Sequence, residues 1–164
     1  MNFKTVIFLL ISFSIFAQGT RKIGGYLFAH MTTDDYGTLH YSISKNGLHW
    51  NSLLNGKRIL EDYKGHPDII TGHDGKFYLV GNPKEEGNKI RIWKSTDLLN
   101  WEFLTDLKPD MSKLPEFDSK DYWHGAPKMF YDLDTKKYII TWHFATKNRN
   151  KVSADEYWGS MRTL

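Results

Sequence analysis

Cysteine is absent from the 164 residues, which removes disulfides, thiolate catalysis, cysteine-ligated zinc and a lipidated N-terminal cysteine. Blocks of like charge are also missing, and with a formal net charge of only +3 nothing calls for nucleic acid as a partner. No window of a dozen residues sustains a 3.6-residue apolar period, so helices are not the main element. The longest apolar stretch, Val6 to Phe16, is eleven residues long and is interrupted only by Ser12 and Ser14. A membrane-spanning helix needs roughly 20, so no membrane anchor is read here. What the chain does have is aromatic side chains, at 6 Trp, 9 Tyr and 10 Phe, too many for a disordered segment. These sums suit one aromatic-rich globular domain.

The N-terminus carries an export pattern. Lys4 supplies a basic start, the apolar run follows, and the small residues Ala17 and Gly19 close it. Residues 1–19 therefore read as a signal peptide cleaved after Ala17 or Gly19. Residues 20–164 are expected to work in a periplasm or outside the cell.

The remaining chain repeats itself. Gly65-His66-Pro67-Asp68-Ile69-Ile70 is echoed sixty residues later by Gly125-Ala126-Pro127-Lys128-Met129-Phe130. The same offset relates Asp74, Lys76 and Tyr78 to Asp134, Lys136 and Tyr138. A second echo, at fifty-one residues, joins Ser44-Lys45-Asn46-Gly47-Leu48-His49-Trp50 to Ser95-Thr96-Asp97-Leu98-Leu99-Asn100-Trp101. The segments between are short, aromatic and β-branched, as in Lys76 to Val80 and Lys137 to Trp142, and Ile90 to Lys94 alternates apolar with basic residues. Asp74-Gly75 is a hairpin signal, and Asp74 and Asp134 read as turn formers. Short strands repeating every 50–60 residues predict an all-β fold of propeller blades, each a small sheet around a central channel. About two and a half blades are countable, where a closed propeller needs about 4–8. The expectation is a partial propeller, truncated or assembling with other copies through its open blade edges.

With those residues in view, the chain resembles the five-bladed-propeller glycoside hydrolases, nearest to family 43. The resemblance rests on Gly25-Tyr26-Leu27-Phe28-Ala29, on the serine-to-tryptophan segment 95–101 and on Trp123-His124-Gly125-Ala126-Pro127, with both hairpins. It covers the chain after the signal but only the first half of the expected family domain, so residues 20–164 are read as the N-terminal half of such a domain. The resemblance implies hydrolysis of arabinose- or xylose-containing oligo- or polysaccharides with inversion. Inversion needs a carboxylate base and a carboxylic acid roughly 6.5–9.5 Å apart, with room for water between them. It implies no cofactor; relatives sometimes hold calcium on the channel axis, but no residue here selects for it. The seven histidines show no His-x-x-x-His spacing, so no metal site is expected.

The chain departs from the family pattern at its carboxylates. Lys22-Ile23-Gly24-Gly25 stands where the family has its first-blade Asp-Pro base, and His66-Pro67-Asp68 stands for Arg-Asp-Pro in the second blade. Lys128 occupies the third-blade acid position, and the general acid Glu of a later blade is not found. Asp68 is the best catalytic carboxylate, two positions along the same strand from His66 and so expected on the same face. It reads equally as a strand-end Asp bonded to nearby amides. The candidate sugar contacts are His66, Trp123, His124, Lys128 and Asp35; His66 reads equally as structural, Lys128 also as a partner of Asp68 or as a plain substitution that removes the site, and Asp35 as part of a solvated loop. Trp50 and Trp101 read as structural, at a blade-packing turn. Three functions stay open: an exported glycosidase of this type, a glycan-binding propeller without catalysis, and a protein-binding propeller that shares only the fold.

Overall fold

The computed structural model describes residues 24–85, 89–110, 122–146 and 162–163. The segment read as a signal peptide, residues 1–19, lies outside the described residues. Within them the fold is all-β, as the repeat pattern predicts: ten strands and one 3-10 turn at Leu53–Gly56. The strands are β1 (Tyr26–His30), β2 (His40–Ser44), β3 (Asn51–Ser52), β4 (Tyr63–Thr71), β5 (Phe77–Pro83), β6 (Ile90–Ser95), β7 (Glu102–Leu107), β8 (Tyr122–Asp132), β9 (Lys137–Thr146) and β10 (Arg162–Thr163). They form three antiparallel sheets ordered β1-β2-β3, β4-β5-β6-β7 and β10-β9-β8. Each strand pairs with its neighbour in sequence, the up-and-down order of a propeller blade.

The two serine-to-tryptophan segments fold alike because their turn chemistry is local. Ser44 Oγ accepts from Gly47 N–H at 2.8 Å, and Ser95 Oγ accepts from Leu98 N–H at 2.9 Å. Asn46 and Asp97 side chains accept the amides of His49 and Asn100, at 3.0 and 2.8 Å. Trp50 and Trp101 close each turn, their Nε1–H groups donating to Gly47 O and Leu98 O. One position does strain the chain: Leu98, at φ +68°, occupies the left-handed conformation that Gly47 takes at φ +75°.

The Asp74 turn forms as read, with the carboxylate accepting from Lys76 N–H and Tyr78 Oη–H. The second hairpin differs. Asp132, not Asp134, supplies the accepting carboxylate, and Asp134 gives its own N–H to it at 3.2 Å. An Asx turn needs its acid at the first turn position, and here the turn starts two residues before the repeat alignment places it.

Two clusters hold the sheets together. Leu39, Tyr41, Tyr63, Leu79 and Trp93 join the first sheet to the second, with the Tyr63 and Trp93 rings 5.6 Å apart. Val80, Ile90 and Ile92 of the second sheet bury Met129 of β8. The first sheet has no counterpart of β4 beside β1 among the described residues. Phe28 is accordingly 51% exposed, whereas its repeat partner Leu79, flanked by β4 and packed into the Tyr63–Trp93 cluster, is 0%.

Candidate functional site

The strands that open the second and third sheets, β4 and β8, pack against each other. Both are bulged at the same repeat position. The β4–β5 register breaks between Lys64 and Asp68, and the β8–β9 register breaks between Gly125 and Lys128. Each bulge contains a proline, which has no N–H to give to a ladder and is at home where pairing is interrupted. Each also contains a residue at positive φ, Gly65 at +136° and Ala126 at +44°.

The β4 bulge delivers Asp68 to β8. Its Oδ2 accepts the backbone N–H of Met129 at 2.8 Å, and its Oδ1 lies 3.4 Å from Lys128 Nζ. The Asp68 side chain is 23% exposed and that of Lys128 50%, so the pair opens to solvent on the lysine side. The residue that is an acid in β4 is thus met by its own repeat counterpart, a base, in β8.

His66, two residues earlier, turns to another neighbour. Its Nε2 shares a 3.0 Å hydrogen bond with Tyr36 Oη, with the two rings edge to face at 89°. No hydrogen bond joins His66 to Asp68 among the described residues. The bulge explains the divergence: a two-residue spacing keeps side chains on one face only along an unbroken ladder.

Asp35 lies on the loop between β1 and β2 and is tied down. Arg58 clamps its carboxylate, Nε donating at 2.6 Å and Nη2 at 2.5 Å, and His40 Nε2 stands 3.1 Å away. The guanidinium holds the Asp35 carboxyl well below the usual carboxylate range, against the opposing effect of desolvation. Asp35 therefore fixes its loop, and its neighbour Tyr36 is the residue the loop presents. Tyr36 was not singled out in the sequence, where an Asp-Asp-Tyr-Gly loop carries no sign of the strand it docks on.

Trp123 and His124 stand in β8 opposite Ala145 and Phe144. Their side chains lie outside the described part of the structure. A cavity of about 570 Å³ opens elsewhere, along β1 and β2, lined by residues including Tyr26, Leu27, Ile43, His49 and Asn51. It includes none of Asp68, His66 or Lys128. Among the described residues no three His, Asp or Glu side chains are placed to hold a metal ion, and no helix is long and apolar enough to cross a membrane.

Comparison with known families agrees with the strand pattern. A family model described as a probable glycosyl hydrolase domain, related to family 43, matches residues 22–161. The chain belongs to that family, which points to carbohydrate as its substrate class. No curated protein matches the chain.

Proposed function

We propose that this member of the glycosyl hydrolase family is an exported protein that recognises arabinose- or xylose-containing glycans at the seam between β4 and β8. Asp68 is the carboxylate of that seam; His66, Lys128, Trp123 and His124 contact the sugar, with Asp35 behind the rim. The observation that carries this reading is the meeting of Asp68 with Lys128 and the Met129 amide, where the bulges of two facing strands coincide.

The same observation favours recognition without turnover. Inverting hydrolysis uses one carboxylate to activate water and a carboxylic acid roughly 6.5–9.5 Å away to protonate the leaving oxygen. Among the described residues at the seam, Asp68 is the only carboxylate. Each of its oxygens already has a partner, and Lys128 stands at the third-blade position where the family has an acid. An ammonium there can donate to sugar hydroxyls but cannot activate water.

The test pairs two measurements on the purified chain. Calorimetric titration with arabino- and xylo-oligosaccharides should show binding, while nitrophenyl arabinofuranoside and xyloside release no nitrophenol. Nitrophenol release that disappears in Asp68→Asn would overturn the non-catalytic reading. Absence of binding to every oligosaccharide would overturn glycan recognition itself.

A further inference from the structure

The loop between β1 and β2 presents an aromatic ring in an unusual way. Tyr36 is 70% exposed. A lone exposed aromatic residue is ordinary on a protein surface. This one is held in place on three sides. Its hydroxyl is bonded to His66 Nε2 at 3.0 Å, on the bulge of β4. The next carbonyl, that of Gly37, accepts Gly65 N–H at 2.7 Å, which fastens the loop to the same bulge. The preceding residue, Asp35, is clamped by Arg58, and its own N–H and C=O are bonded to the hydroxyls of Thr32 and Thr38. Gly37, at φ +84°, makes the turn that lets hydroxyl and carbonyl reach one strand.

We propose that Tyr36 is the stacking platform of a further sugar subsite beside His66, and that Asp35 is a positioning residue acting through it. The inference rests on the glycan reading above and adds the place where a second ring of an oligosaccharide lies. His66 meets Tyr36 edge to face, so the contact leaves ring surface exposed. The C–H face of a pyranose or furanose packs on such a surface. His66 Nδ1 has no hydrogen-bond partner among the described residues, and it supplies the polar handle for a hydroxyl of the stacked sugar. A ring fixed before binding loses little freedom when the ligand arrives, and that is what the Arg58–Asp35 clamp provides. The ligand class is a neutral oligosaccharide long enough to reach from the Asp68–Lys128 seam to the loop.

The experiment is calorimetric titration of the purified chain and of three variants with xylo-oligosaccharides of two and six sugars, alongside thermal melting. Tyr36→Ala should weaken binding of the six-sugar ligand roughly tenfold, against less than about threefold for the two-sugar ligand through the lost bond to His66, and should lower the melting temperature only slightly. Tyr36→Phe, which keeps the ring, should stay within about threefold of the parent protein. Asp35→Asn should weaken the long ligand selectively, a length dependence that a purely structural role would not produce. Equal affinity of the parent protein and Tyr36→Ala for the six-sugar ligand would overturn this inference and leave the seam standing. A parent protein that binds neither of these ligands nor the arabino-oligosaccharides would overturn the glycan reading, and this inference with it.

Discussion

Replacing Asp68 by Ala should cost about 2–3 kcal/mol, most of it through the Met129 amide rather than through Lys128. A hydrogen bond to a charged group contributes about 1.5–3 kcal/mol, and leaving a buried donor without an acceptor costs about 1–3 kcal/mol, two views of the same loss that are not added. Met129 is only 5% exposed, so its N–H has poor access to water once the carboxylate is gone. The ion pair is a different matter: at 3.4 Å, with Lys128 half in solvent, it is worth about 0–1 kcal/mol. Asp68→Asn separates the two, because the amide oxygen still accepts from Met129 while the charge disappears. It should cost less than about 1 kcal/mol, as should Lys128→Met. Urea unfolding followed by tryptophan fluorescence reads all three, since Trp93 is buried at 2% exposure and reports opening of the second sheet. The reasoning fails if Asp68→Asn is as damaging as Asp68→Ala, for the charge would then be what joins the blades. It fails equally if Asp68→Ala is neutral.

Asp106 gives the expected acid sensitivity. Arg91 donates to it at 2.6 and 2.9 Å with Lys89 at 2.9 Å, and these hold its carboxyl down to about 2 despite partial burial. A carboxylate depressed in the folded state stabilises above its unfolded value near 4, and this contribution drains as pH falls toward 2. Urea midpoints measured from pH 5 to 2 should therefore fall more gently in Asp106→Asn than in the parent protein; parallel curves would refute the assignment. Tyr63 is 1% exposed and its hydroxyl has no partner among the described residues. Tyr63→Phe should be neutral or stabilising by up to about 1 kcal/mol, and a clear loss of stability in the same assay would reveal a partner for that hydroxyl.

The parts of the fold that were legible in the sequence are those decided within a few residues. The turns at Ser44 and Ser95 are made by a hydroxyl, an Asn or Asp side chain and a Trp that all lie inside one heptapeptide, so the repeat could be read directly. The turn acid was misplaced because the sixty-residue offset aligns Asp134 with Asp74, while the hairpin closes on Asp132. The site was harder. Asp68 and Lys128 were picked out by repeat position, and Gly65 and Pro67 mark where β4 bulges, yet nothing in the sequence announces the contact of Asp68 with the Met129 amide. Tyr36 depends on a partner thirty residues away in the next sheet, and no local pattern announces a contact of that range.

The opposite charges at positions 68 and 128 follow from the repeat itself. Facing strands of neighbouring blades bring equivalent positions together, so an acid retained at both would set two carboxylates where the ammonium of Lys128 now meets Asp68. Like charges at such a distance repel, and one of them would have to stay protonated. A catalytic site uses that conflict, since a carboxyl kept protonated by its neighbour is an acid ready to donate. In this chain the conflict is absent: Lys128 neutralises Asp68, and the Met129 amide gives the carboxylate a structural partner. A lysine at position 128 avoids that repulsion between the blades. The seam thus gives Asp68 both a cation and an amide as partners, with the Tyr36–His66 pair on the neighbouring part of the same strand.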